Sequence, residues 1–243
     1  MGKTACTIMS RNYDEIKARN VEFNNNLGKN LGLSGSYGFL LSLDGRGSQF
    51  EVNNNKVENA FIIGIENTGW DNGEFVKNTF SNFSRPYSAF SFTGNKKYHH
   101  KMENNKIINN TISGDASARC NFYDMTKSYF MGNIFQAGGS NGIAVALRNT
   151  TDCVFEKETY SSKGIYALWL RSDSTGIANN NKFINCTFST KASNNNYSVI
   201  RLDSLNTINN SFIKCKILKG PKGVFYDEIH GASNNNFEEV IQQ

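Results

Sequence analysis

Hydrophobic and polar positions along this chain follow a phrase that returns eight times. A large apolar residue leads, followed by two variable positions, usually Asn or Cys, one variable position and a second apolar residue. It reads Val52-Asn55-Val57, Phe75-Asn78-Phe80, Met102-Asn105-Ile107, Phe130-Asn133-Phe135, Phe183-Cys186-Phe188 and Phe212-Cys215-Ile217. Val154-Lys157-Thr159 is a degraded copy and Phe237-Val240 a truncated one. The starts lie 23, 27, 28, 24, 29, 29 and 25 residues apart. Self-similarity at this period means one structural unit stacked on itself. Each unit holds a second apolar stretch that alternates, as in Phe39-Leu41-Leu43, Phe61-Ile63-Ile65, Phe90-Phe92, Ile143-Val145-Leu147, Tyr166-Leu168-Leu170 and Ile200-Leu202. Period two describes a strand with one buried face. The Gly, Asn, Ser and Asp clusters between stretches, such as Asn67-Thr68-Gly69, are turn signals. A helical period is visible only around Tyr13 to Arg19.

Two or three short strands per unit predict an all-β fold: a single-stranded right-handed parallel β-helix of about nine coils. Propeller blades run longer, at about 40 residues or more. A leucine-rich-repeat frame is not found. The offset-three residues Asn55, Asn78, Asn105 and Asn133 are expected at one bend in successive coils. Asn tolerates left-handed backbone there, and its amide can bond the copies above and below. Cys186 and Cys215 continue the row as small side chains that can face the core. These positions are therefore scaffold. Ile16 to Val21 fits the same frame with Arg19 at the ladder position. Residues 1–243 form one domain, with a lead-in over 1–11 and loop insertions at 24–36 and 112–120. The exposed edge of the first coil implies a longer protein or a covering partner.

The chain has 36 Asn among 243 residues, and these sit at fixed offsets from apolar positions, which argues against a disordered Asn-rich tract. The net charge of +5 is small and the Lys are scattered, so no nucleic-acid partner is expected. No apolar run is long enough for a membrane span. The start Met1-Gly2-Lys3-Thr4-Ala5-Cys6 has no signal-peptide apolar region. Five dispersed Cys favour reduced thiols. His99-His100 reads as a loop rather than a metal site, and neither metal nor cofactor is called for.

Coils such as Asn180-Asn181-Lys182-Phe183-Ile184-Asn185-Cys186-Thr187-Phe188, followed by Asn209-Asn210-Ser211-Phe212-Ile213-Lys214-Cys215-Lys216-Ile217, resemble right-handed parallel β-helices of the pectate-lyase-like superfamily. The resemblance covers residues 12 to 243. It is closest to phage tailspikes, which implies a homotrimer that binds or cuts bacterial surface polysaccharide. The setting implied is a virion tail or a bacterial surface, reached without a signal peptide; a cytoplasmic place is also compatible. The polygalacturonase Asn-Thr-Asp and lyase Arg-x-Pro-x-x-Arg signatures are absent, and Arg85-Pro86 is an isolated pair. Family catalytic residues therefore do not carry over.

In stacked coils, a site is read down the stack. Aligning the alternating strands on Leu147, Leu170, Leu202 and Ile229 gives an outward column Arg148, Arg171, Asp203, His230. Two residues earlier it gives Ala146, Trp169, Arg201, Glu228, with Tyr226 as a further aromatic platform. The matching earlier positions are Ser42, Gly64 and Ser91. Asp203 and Glu228 are the candidate catalytic carboxylates, with Arg171 and His230 beside them; Trp169, Arg201, Arg148 and Tyr226 are candidates for sugar binding. Hydrolysis needs carboxyls about 5 Å apart for retention, or about 6.5–9.5 Å for inversion. Lyase chemistry would use Arg171, Arg201 or His230. A non-catalytic receptor-binding or structural β-helix is the alternative, since Arg and Asp on stacked strands also make plain salt bridges. A bulge near Asp227 would turn Glu228 away.

Overall fold

The computed structural model describes residues 6–9, 18–31, 40–59, 64–82, 90–94, 100–114, 120–174, 176–192 and 197–243. The expectations at Phe39, Phe61, Tyr13, Arg85-Pro86 and His99 lie outside the described residues. The regular elements among these residues are all strands. No helix among them is long and apolar enough to cross a membrane.

One coil shows the plan. Tyr166–Arg171 forms a first face, Ala178–Asn179 a corner, Lys182–Ile184 a second face and Thr187–Thr190 a third. The next coil repeats it with Ser198–Asp203, Thr207–Ile208, Ser211–Ile213 and Lys216–Leu218, each parallel to its counterpart. The third face is a nine-stranded sheet from Leu27–Lys29 to Ile241–Gln242. The earliest coil pairs Cys6–Met9 and Ala18–Asn24 with the long strand Leu41–Asn53, and Leu27–Lys29 with Lys56–Glu58. Strands thus occupy part of the expected lead-in and part of the expected insertion at 24–36. Phe23 is in register with Val52 and Asn26 bonds Asn55, so the first copy is Phe23-Asn26-Gly28. Arg19 is exposed and stands off the ladder.

Inside, the second face stacks one large side chain per coil. Phe130, Phe155, Phe183, Phe212 and Phe237 form a column with ring centroids 4.4, 4.5, 4.6 and 4.7 Å apart. Each fully buried ring contributes about 1.5–3 kcal/mol through the hydrophobic effect. Ring pairs of this kind add about 0.5–1.5 kcal/mol.

Polar ladders run up two corners rather than one. Between the second and third faces, the Asn55 amide nitrogen and Nδ2 both donate to Asn78 Oδ1, at 3.0 and 2.9 Å. The row continues through Asn110 and Asn133 and ends on Glu158 Oε1. Ahead of the second face a separate row holds Asn105, Ser128, Cys153, Asn181, Asn210 and Asn235. Asn105 therefore leaves the expected set and Asn110 takes its place. The two corners lie five residues apart, with an apolar residue before each, so both fit the same phrase. The copy at 154 is likewise one residue out of register. Phe155 pairs with Phe130 and Phe183, which makes the unit Phe155-Glu158-Tyr160.

The left-handed residue at these bends is the one before the ladder position: Asn54, Lys77, Asn109, Lys157, Asn185 and Lys214 have φ of 53–56°. The turn aims the following side chain inward along the axis. Where Cys replaces Asn, Cys186 Sγ donates to Phe155 O and Cys215 Sγ to Phe183 O, each at 3.4 Å. These carbonyls correspond to Val52 O, which receives the Asn78 amide at 2.7 Å. A thiol thus keeps the donor role of the amide.

Candidate functional site

The outward side of the first face carries the site. Its strands place Ser42, Glu66, Ser91, Asn121, Ala146, Trp169, Arg201 and Asp227 in one column. A neighbouring column reads Thr93, Tyr123, Arg148, Arg171, Asp203 and Ile229. Two expectations change. Glu66, not Gly64, holds the early outward position, where burial raises its carboxyl pKa. On the last strand, Val224–Ile229, the register is one residue different: Asp227 lies beside Arg201, and Glu228 beside Leu202. Glu228 leaves the patch and accepts a hydrogen bond from Asn235 Nδ2 at 2.7 Å. Tyr226 also leaves it, following Ile200 in the interior column and stacking on Phe237 at 4.0 Å. The positions of this strand are only partly buried or exposed, so burial does not impose the alternation that the earlier strands obey.

The other candidates are brought together. Asp203 is a fixed carboxylate: His230 Nδ1 lies 2.7 Å from Oδ1, and Trp169 Nε1 donates to Oδ2 at 3.3 Å. Arg201 Nε is 3.6 Å from the same Oδ2. Arg201 also donates to the Tyr166 hydroxyl and lies over that ring. Arg171 covers the Trp169 ring at 4.1 Å. Trp169 therefore braces an arginine and orients Asp203, instead of offering an open face to a sugar. Arg148 stacks on Tyr123 at 4.1 Å and reaches Asp124 and Asp173. His230 is largely exposed and stands at a left-handed φ of 52°.

Asp227 was not legible as a site residue. Its Oδ1 accepts from Ser198 Oγ at 2.6 Å. Burial raises its pKa, and the nearby Asp203 charge pushes the same way, against the lowering by Ser198 and Arg201. Asp203 and Asp227 are thus two carboxyls within electrostatic reach but in different surroundings. One strand across and two residues along corresponds to about 8 Å between their Cα atoms. An aromatic and aliphatic patch of Ile143, Ala146, Tyr166, Trp169, Tyr197 and Tyr123 adjoins them outside the core. Tyr166 and Tyr123 were missed because a polar-capped ring on a strand reads as ordinary core.

The Nε atoms of Arg148, Arg171 and Arg201 are buried and make no hydrogen bond. Three guanidinium groups thus stand on consecutive coils of this face, with Arg148 Nε 3.8 Å from Asp173 and Arg201 Nε 3.6 Å from Asp203. Among the described residues, His, Cys, Asp and Glu do not gather in threes as a metal site would require.

No family model matches the chain, and no curated protein sequence matches it. Solved structures similar in fold include ORF18 of Geobacillus virus E2, at 15% identity and TM-score 0.49 over 88% of this chain and 42% of that one. The A-module of Azotobacter vinelandii mannuronan C-5 epimerase AlgE6 is similar at 10% identity and TM-score 0.43, over 86% of this chain and 66% of that one. The catalytic domain of a GH87 alpha-1,3-glucanase, in complex with tetrasaccharides, is similar at 11% identity and TM-score 0.40, over 97% of this chain and 58% of that one. This chain thus spans 42% to 66% of the length of these chains. Its own coil geometry, three strand faces with parallel pairing from coil to coil, is that of a parallel β-helix.

Proposed function

We propose that the first face binds and hydrolyses an acidic polysaccharide. The observation that carries this reading is the Asp203–Asp227 pair in unequal surroundings, bordered by buried arginine donors. A carboxyl whose pKa burial raises, set beside a second carboxyl in different surroundings, serves as acid to that partner's base. Asp227, whose pKa burial raises, gives its proton to the glycosidic oxygen as the carbon–oxygen bond breaks. Asp203, held by His230 and Trp169, takes a proton from the attacking water. Arg171, which stacks on Trp169, neutralises the sugar's acidic group. Tyr197, partly exposed and packed edge-on against Tyr166, offers the adjoining ring surface.

Asp203→Asn and Asp227→Asn should each lower cleavage about 10²–10⁴-fold, the usual worth of a general acid or base, while binding persists. Incubation with acidic capsular polysaccharides would be followed for new reducing ends and for unsaturated sugars. Reducing ends without unsaturation support hydrolysis. Full activity in both variants would remove these residues from the site. A second reading, β-elimination with His230 as base, rests on the 2.7 Å His230–Asp203 contact, and unsaturated ends that vanish in His230→Gln would favour it. The tailspike-like trimer and bacterial-surface setting belong to the same proposal, and sedimentation at a monomer's mass would remove the trimer.

A further inference from the structure

The third face carries a cavity of about 490 Å³ that shares no lining residue with the Arg–Asp cluster. Gln136, Ser161 and Ser189 follow one another on its wall at one polar side chain per coil. Ser162 and Thr190 are paired on adjacent strands behind them. Ser162 Oγ donates to Gly142 O at 2.7 Å and accepts from Gly164 N at 2.9 Å. Thr190 is 6% exposed, and its Oγ1 has no hydrogen-bond partner. Ser162 and Thr190 share the inward parity of Tyr160 and Phe188, so the outer wall is made by Gln136, Ser161 and Ser189. Lys163 and Lys191 follow Ser162 and Thr190 directly, are exposed, and stand on the rim one coil apart.

We propose that this cavity is a second, non-catalytic saccharide site, taking an anionic sugar unit. The sugar's hydroxyls meet Ser161, Ser189 and Gln136, and its carboxylate meets Lys163 and Lys191. The volume lies in the range of about 300–1,000 Å³ common for small-molecule sites. Hydroxyls stepping at the coil repeat suit an extended chain of sugars running along the axis, whereas a lone inorganic anion would use only the lysines.

The test is calorimetric titration of the full chain with oligogalacturonate, oligomannuronate and oligosialate, with a neutral malto-oligosaccharide and inorganic phosphate as comparison. The wild type should show two classes of site for at least one acidic oligosaccharide. Lys163→Gln with Lys191→Gln should abolish one class, and Ser189→Ala should weaken that class about 3–10-fold, the worth of one hydrogen bond. Arg171→Gln should affect only the other class. Thermal unfolding checks that each variant is folded. The proposal is overturned if no acidic oligosaccharide shows a class sensitive to the third-face variants. Equal binding of the neutral sugar, or phosphate binding as tight as the oligosaccharide at that class, overturns it too. Failure of the hydrolysis reading appears separately, as loss of the Arg171-dependent class or of cleavage while the Lys-dependent class remains.

Discussion

Asn78 makes four hydrogen bonds with one side chain, one of them from Nδ2 to Asn110 Oδ1. Its Oδ1 accepts the Asn55 backbone N–H and side-chain amide, and its Nδ2 donates to Val52 O. Asn78→Ala strands a buried donor and a buried acceptor at once, so unfolding should lose about 2–4 kcal/mol in a urea titration. Glu158 stands at the end of the same row, fully buried, accepting from Asn133 and from Tyr160 Oη at 2.9 Å. Burial pushes its carboxyl from 4.5 up to about 8. The folded state therefore holds a proton that the unfolded chain releases. Its contribution is fully present below about pH 4.5 and is lost as pH rises to about 8. Glu158→Gln, which keeps a neutral amide in the row, should flatten the decline in melting temperature across that window. An equal slope in both proteins would refute the assignment.

The strand is the element that turns one residue into a site. Each outward position is repeated one coil away, so Arg148 and Arg171 pair directly, as do Trp169 and Arg201. On the last strand the polar residue selected is Asp227, and its raised pKa carries a kinetic consequence. A general acid must hold its proton, so hydrolysis should fall as pH rises through the elevated Asp227 value. Asp227→Glu should move that limb of the kcat/KM profile, while a mere structural role would leave it in place. Inside, strands meet with little tolerance. A methyl group added at Gly47 would lie 2.3 Å from the Trp70 ring. Gly47→Ala should cost about 1–3 kcal/mol through overpacking. Phe183→Ala, cutting the stacked column, should cost about 3–5 kcal/mol, both measurable by chemical denaturation.

At the scale of the molecule, stacking separates side-chain chemistry by face. The acids and arginines lie outside the first face, the lysine-rimmed cavity lies on the third, and the rings and ladders lie between. Ligand affinity at the first face should weaken with added salt for acidic glycans, because rim charges are screened over about 8–10 Å at ordinary ionic strength. The thiols report the same layering: Cys120, Cys153, Cys186 and Cys215 are buried and Cys6 is partly exposed. Burial pushes Cys153 up to about 12 and raises Cys120 and Cys186 as well. A thiol reagent should label Cys6 first in the native protein and all five only after denaturation, and native labelling of Cys186 would contradict the packing.

The sequence by itself determined the coil. Apolar residues at a fixed offset must face a common interior, and Asn rows must satisfy one another, whatever the loops between them do. It also placed Arg148, Trp169, Arg171, Arg201 and Asp203 on one face, because strict alternation holds wherever one side of a strand is buried. Only the tertiary structure decided which of two corners five residues apart each Asn occupies, since both corners present the same local chemistry. It alone decided that Asp227 and not Glu228 joins Asp203. On a strand whose interior side is partly open, burial no longer enforces register, and hydrogen bonding to the preceding coil sets it instead.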